Sequence, residues 1–578
     1  MIRKILLGCC LLACESVVLA NTFYVDPEHG CDKSILPNIV CDGSAANPWR
    51  RLDKVIANQQ IMTKNYAGTI LYPNAPVKPG DTLLLRDGFH GNVKIMNYYN
   101  DSYITVKADP NRKPNGSRHE PRVSRLLVSN SKNWRFEKLT ISQGFIDPDD
   151  PSKPVYSDLQ IVMLGGKGIE GLCQDPQAAV CVPISAPTSD IQLIDSYIFS
   201  TPESKNWTVN DWKTKAKSGV WVGVDSHEYS NFLIKNNYIE NVVHGIQITA
   251  SDTVVEGNVI NNFRDDGMRG IRNNITFHHN VVRNNVSIDT NHDDAIQAFY
   301  SPITANPLPP IESMNINKNI ILNRDSYPET SQVSAIQGIG MFDGPFKKIK
   351  ITNNVVLAFQ YHGISLYDSE QSDIVNNVVY SPLAPPEIHL DEVYAALWIS
   401  LASKNGLSEE ELKQKNMVCG NYAIDYAPND LPNYTTAYSP FTNINDLNSY
   451  CSGAVSAEGS AQYQYSNNTL APELSYDACF NTTVLEQNEK FFIDKLSKLL
   501  KETNQMYGAV HALAKKARVN TGLFIQGWGL SSIFNSCSQP LLQPLSQPLP
   551  QLGPRPLPQR RNPQLSPRAP FPQRQMVR

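Results

Sequence analysis

Two short stretches of this chain carry enough charge to do chemistry. Arg264-Asp265-Asp266 precedes Arg269 by a few residues, and Asn291-His292-Asp293-Asp294 precedes Gln297. Carboxylates forced together repel, so they must bind a cation, share protons, or pair with Arg264 and Arg269. An imidazole in the same place can take or give a proton near neutral pH. Such a set is suited to acid–base work on a weakly acidic carbon, to glycoside cleavage by a pair of acids, or to holding Ca2+ through Asp265 and Asp293. Any of these requires the two stretches to meet in space.

A repeat supplies the means. From Asn231 to Tyr380 a phrase recurs: a short apolar strand, an Asn pair or Gly-Asn, an apolar pair, a polar turn and a second short strand. The markers Asn237, Asn258, Asn280, Asn319, Asn354 and Asn377 are spaced 21, 22, 39, 35 and 23 apart. A basic period near 22 filled by strands predicts a solenoid. Strands of four or five residues cannot bury a face alone, but stacked copies bury a continuous core. The expected fold is all-β, a right-handed parallel β-helix, with the handedness taken from the crossover rule. Asn suits its corners because it tolerates left-handed backbone and its amide can both donate and accept between coils. No leucine-rich repeat phrase recurs.

Aligning the second strands places His244-Gly245-Ile246-Gln247 beside Asp266-Gly267-Met268-Arg269, then Asp294-Ala295-Ile296-Gln297, Ser334-Ala335-Ile336-Gln337 and His362-Gly363-Ile364-Ser365. Alternation along a strand sends Ile246, Met268, Ile296, Ile336 and Ile364 inward. Gln247, Arg269, Gln297, Gln337 and Ser365 then form an outward ladder, with rungs about 4.8 Å apart. Two residues on, the outward column reads Thr249, Ile271, Phe299, Ile339 and Tyr367. Polar forks beside aromatic faces fit a sugar chain. The expected substrate contacts are Gln247, Gln297, Gln337, Phe299, Tyr367, His244 and His362, with walls from the long inserts before Asp294 and Ser334. An ordinary solvated sheet face is the plainer alternative. For Asp266 alone, Asp-Gly turn chemistry is an equal one.

The remainder of the chain sets the context. Of 578 residues, 1–20 read as a signal peptide, with Arg3 and Lys4 before an apolar run that ends at Ala20. Leu11-Leu12-Ala13-Cys14 offers a lipoprotein alternative, anchored through Cys14. The expected location is secreted or periplasmic. Eight cysteines beyond the signal suggest disulfides, with Cys31–Cys41 and Cys173–Cys181 the natural local pairs. Residues 21–383 are assigned to the coil, with a cap helix over 47–56. Residues 384–482 are assigned to an irregular disulfide-containing cap, and 483–537 to a helical segment whose stripe Phe491, Phe492, Leu496, Leu499 and Leu500 packs on the coil. Residues 538–578 hold 11 Pro, 6 Arg and no acid, a disordered tail. A net charge of −4 gives no general basic surface, so nucleic acid is not expected as a partner. No stretch after the signal is long and apolar enough to span a bilayer, and a monomer is expected.

Tyr24-Val25-Asp26-Pro27, Asn47-Pro48-Trp49-Arg50-Arg51-Leu52 and Pro79-Gly80-Asp81-Thr82 with Asp87-Gly88 resemble the opening phrases of exported bacterial β-helix proteins of the pectate-lyase-like superfamily. The resemblance covers about Asn21 to Pro382 and implies the fold. Asn291 to Gln297 is similar to a His-Asp/Asn-Asp-x-Ile-Gln phrase of that superfamily, found in proteins similar to uronan lyases and epimerases. The hydrolase motifs that accompany an Asp-Asp pair in polygalacturonases are absent. So is the Pro that would complete a pectate lyase's Arg phrase at Arg269-Gly270-Ile271-Arg272. The leading expectation is an enzyme acting on an acidic polysaccharide as a lyase or C5-epimerase. Arg269 would neutralise the uronate carboxylate and His292 would take the C5 proton. Asp266 and Asp294 would share the catalytic work, and Asp265, Asp293 and Asp294 would bind Ca2+ or orient His292. The alternatives are a β-helix glycoside hydrolase and a non-catalytic carbohydrate-binding or adhesion protein.

Overall fold

A computed structural model describes residues 20–32, 40–111, 120–165, 187–223, 230–288, 293–299, 309–323, 336–358, 362–381, 397–402, 416–419, 421–425, 465–466, 469–470, 494–499 and 501–502. Short strands stack into three long sheets, and each turn of the coil gives one strand to each sheet. The first sheet runs from Thr22–Val25 to Tyr465–Ser466, the second from Gly88–Phe89 to Thr469–Leu470, and the third from Asn92–Met96 to Leu397–Ala402. The coil-to-coil pairings are parallel throughout, as in Ile234 with Val255 and Val255 with Phe277. The chain is a parallel β-helix, right-handed as parallel crossovers are.

The Asn pairs explain the coil's tight corner. The first residue of each pair is left-handed: Asn236, His279, Lys318, Asn353 and Asn376 all have φ between 53° and 57°, and Gly257 has φ 67°. The second residue turns inward and is fully buried. Its amide nitrogen donates to the next coil's amide oxygen, Asn237 to Asn258, Asn258 to Asn280, and so on through Asn319, Asn354 and Asn377, at 2.9–3.0 Å. A further rung, Asn377 to Asn421 at 2.9 Å, carries the ladder beyond residue 383. Strands Leu397–Ala402, Met417–Cys419 and Tyr422–Asp425 pair onto the same three sheets. The coil therefore extends into the region assigned to an irregular cap.

The core is one column of aliphatic and aromatic side chains, with Trp134, Phe136, Phe232, Phe263 and Phe277 among its largest members. Its N-terminal end is closed as expected. The helix Leu52–Ala57 buries Leu52 and Val55, and Trp49 stacks on Phe23. Cys31 and Cys41 form a disulfide at this end, whereas Cys14, Cys173 and Cys181 lie outside the described residues. A helical turn over 494–499 and 501–502 buries Leu496 and Leu499 and reaches the coil through Glu502, 3.0 Å from Lys318. Phe491, Phe492 and Leu500 fall outside the described side chains. No helix among the described residues is long and apolar enough to cross a membrane.

Candidate active site at the corner before the third sheet

The third sheet's core column fixes the register of the site. Ile246, Met268, Ile296, Ile339 and Ile364 pair in succession and are all fully buried. Four of the five predicted core positions and two of the predicted pairings hold, but the fourth copy is shifted by three residues. Gln337-Gly338-Ile339-Gly340 occupies the rung expected for Ser334 to Gln337. The residue before the core position is small in each of these coils, Gly245, Gly267, Ala295, Gly338 and Gly363. A Cβ on Gly245 would strike the carbonyl of Gly267, and one on Gly338 would strike that of Gly363. Gln337 thus pairs with Asp294 and Ile339 points inward, so neither belongs to the outward columns first assigned.

Two columns result. The strand-start column reads His244, Asp266, Asp294, Gln337 and His362, and the outward column three residues later reads Gln247, Arg269, Gln297, Gly340 and Ser365. Asp266 and Asp294 are joined directly, the Asp294 amide donating to Asp266 Oδ1 at 3.0 Å. Arg269 pairs with the other Asp266 oxygen and lies 5.0 Å from the centre of the Phe299 ring. Gln297 donates to Asp294 Oδ2 at 2.8 Å, while Asp294 Oδ1 has no hydrogen-bond partner among the described residues. That oxygen lies beside Gly340, where any side chain would collide with it. Asn285 holds Asp293 from within, donating to its Oδ2 at 3.1 Å. His244 Nε2 sits 3.6 Å from Asp265.

The acids are not on an exposed face as expected. Asp266 is 1% exposed and Asp293 and Asp294 are 0% exposed, and Gln247, Gln337 and Tyr367 are also buried. Arg269, Gln297 and Phe299 keep partial access to solvent. The corner is covered in part by an insertion between Phe199 and Ser218. Its helix Val209–Lys215, capped by Thr208, packs Trp212 against Val286 with Val243 and Ile288 around it. Tyr367 packs edge-on to Phe342 at 5.6 Å. His292 and the inserts expected as walls lie outside the described residues, as does the His362 side chain.

Burial sets the protonation pattern. It pushes Asp294 well above the usual carboxylate range, and the neighbouring Asp266 charge adds to the effect. Asp293 is pushed well above by burial and by Asp265. Asp266 is raised by burial, against the pull of Arg269. His244 is held well below its ordinary value by burial, then by Arg269 and Arg264, so its imidazole is neutral. The site therefore offers an acid at Asp294 that burial and Asp266 bias toward its protonated form, an imidazole at His244 biased toward its neutral form, and a fixed guanidinium at Arg269.

A cation would be held by a set different from the expected one. His244, Asp265 and Asp266 bring one ligand atom each within 4.8 Å of one another. Asp293 is turned inward onto Asn285 instead. One nitrogen and two carboxylates suit a transition ion better than Ca2+, which takes six to eight oxygens.

Sequence reasoning missed Asn285, Gly340 and the Trp212 insertion. Asn284-Asn285 does repeat the Asn262 and Asn241 corner, with Asn284 left-handed like both, and that was the available signal.

No family model matches the chain, and no curated protein matches it in sequence. Among solved structures it is similar to the mannuronan C-5 epimerase A-module of Azotobacter vinelandii, with 11% identity, TM-score 0.35, and coverage of 60% of this chain and 78% of that one. It is also similar to a surface adhesin of Streptococcus pneumoniae, with 12% identity, TM-score 0.33, and coverage of 57% and 82%. A lacto-N-biosidase of Eubacterium ramulus gives 11% identity, TM-score 0.32, and coverage of 69% and 67%.

Proposed function

We propose that this protein is an exported acid–base enzyme acting on a uronate-containing polysaccharide, as a lyase or C5-epimerase. The observation that carries the reading is the Asp266–Arg269–Asp294–Gln297 assembly, a cation fixed on one rung beside a buried acid on the next. A C5 proton becomes removable only when the adjoining carboxylate is neutralised. Arg269, backed by Asp266, seated on the Phe299 ring and partly open to solvent, takes that carboxylate. The neutral imidazole of His244, one rung from Asp266, accepts the proton, and His292 is the second candidate base. Asp294 gives its proton to the leaving oxygen in elimination, or a proton returns to the opposite face of C5 in epimerisation. A divalent ion bound by His244, Asp265 and Asp266 would supply further neutralisation of the substrate carboxylate and would occupy the His244 imidazole, leaving His292 as the base.

A panel of polyuronates separates the possibilities. A lyase releases products that absorb in the ultraviolet as unsaturated uronates, and an epimerase changes the sugar's proton NMR spectrum without shortening the chain. Arg269→Gln should lower kcat by about 100-fold or more, the size of losing one charge-stabilising group. Reducing ends without absorbance would favour a hydrolase that uses two of the carboxyl groups as acid and base. Binding with no product of any kind would move the protein to the adhesion class.

A further inference from the structure

The third sheet carries a second recess on the same edge, nearer the N-terminus. We propose that it is a sugar-binding subsite, taking one pyranose unit of the glycan that the Asp294 site processes. The substrate class rests on the function proposed above, but the recess stands on its own geometry.

The cavity measures about 190 Å³ and lies where the turn 143–158 folds back over strands Asn92–Met96 and Arg125–Ser129. Gln143 pins this turn to the sheet. Its side chain donates to the Gln160 carbonyl at 2.8 Å and accepts from the Asp158 amide at 3.0 Å. Tyr156 and the half-buried Phe145 line it with aromatic surface, Arg122 covers one side of the Phe145 ring, Phe89 is buried beneath Arg51, and Arg125, Asn92 and Lys153 supply polar rims. Arg125 is 13% exposed, and its Nη1 donates to Asp158 at 2.7 Å. Its Nε is buried with no partner among the described residues. A buried guanidinium N–H without an acceptor is costly unless something fills the place.

The charges here are balanced. Asp158 pairs with Arg125, Asp53 with Arg51, and Asp147 with both Arg51 and Lys153. A strongly charged ligand would gain little. A sugar ring fits better, with C–H faces for the aromatic rings and hydroxyls that both donate and accept. Gly144 leaves room for the Tyr156 hydroxyl, which a Cβ there would crowd at 2.7 Å.

Position links the recess to the main site. Ser124 occupies the strand-start column that continues through Gln160, Ser218, His244, Asp266 and Asp294. Five strand steps separate Ser124 from Asp294, about 24 Å at about 4.8 Å each. Only a glycan of several residues could touch both, so the recess would give the protein a preference for long chains.

The test is an array of neutral and uronate-containing oligosaccharides, from disaccharides to long oligomers, probed with the full chain. Phe145→Ala, Tyr156→Phe and Lys153→Ala should weaken binding of long oligomers by about tenfold and leave disaccharide binding unchanged. Lys153 is 59% exposed and Tyr156→Phe removes one oxygen, so these two keep the test valid if Phe145→Ala misfolds. Unchanged long-chain binding in all folded variants, or a wild type that binds nothing on the array, overturns the proposal. If the wild type binds long chains through the recess but converts none of them, the subsite stands and the enzymatic reading falls.

Discussion

At the residue scale, the site depends on where protons sit. Asp294 has a folded pKa raised above its unfolded value by burial and Asp266. The folded protein then holds more protons than the unfolded chain as pH rises from about 4, so this group's contribution to stability falls over that interval. Asp294→Asn is neutral at every pH. It should flatten that part of the stability–pH profile, raise stability relative to wild type at neutral pH, and abolish turnover. Chemical denaturation at a series of pH values, run beside the activity assay, measures both. A wild-type slope that persists in the variant would show that Asp294 is already ionised. The meeting of Asp266, Arg269, Asp294 and Gln297 was legible because Asp-Gly-Met-Arg and Asp-Ala-Ile-Gln share one phrase. Their depth was not, because alternation gives direction and says nothing of what lies above the sheet. Ser334 to Gly340 contains two overlapping copies of the phrase, Ser-Ala-Ile-Gln and Gln-Gly-Ile-Gly, and the hydrophobic pattern alone does not choose between them.

At the element scale, the Asn corner makes two different demands on adjacent residues. The buried Asn280 accepts from both the backbone and side chain of Asn258 and donates to Val255 and Asn319. Asn280→Ala leaves several buried groups unpaired, at about 1–3 kcal/mol each. A loss of at least about 3 kcal/mol in denaturant titration is expected. The residue before it needs only a left-handed backbone. His279 fills that place with φ 53°, where three other coils have Asn236, Asn353 and Asn376. Burial, then His278 and Lys318, depress it to about 4. Its ordinary value is near 6.5, so the stability it allows above that pH is lost as pH falls toward 4. His279→Asn should keep neutral-pH stability within about 0.5 kcal/mol and reduce acid sensitivity in melts between these limits. The missed rung at Asn421 carried the same signal, Gly420-Asn421, but its 44-residue separation from Asn377 hid it.

At the scale of the whole molecule, the far C-terminal turn is tied back to the middle of the coil. Glu502 meets Lys318 at 3.0 Å, while Leu496 and Leu499 are buried. The ion pair is more than a third exposed on both sides and contributes about 0–1 kcal/mol. A fully buried Leu cut to Ala costs about 2–5 kcal/mol. Leu496→Ala should therefore lower Tm clearly more than Glu502→Ala, and the reverse order would mean that the contact is electrostatic.

The ladder's spacing is indifferent to how much chain separates its rungs. Asn258 and Asn280 are 22 residues apart and Asn280 and Asn319 are 39 apart, yet both amide contacts measure 3.0 Å. Closing a longer loop costs only about 0.6 kcal/mol per doubling, less than one rung contributes. Foreign loops could therefore be spliced in at that corner, and the coil would serve as a graduated rack on which new recognition surfaces are mounted at a fixed pitch.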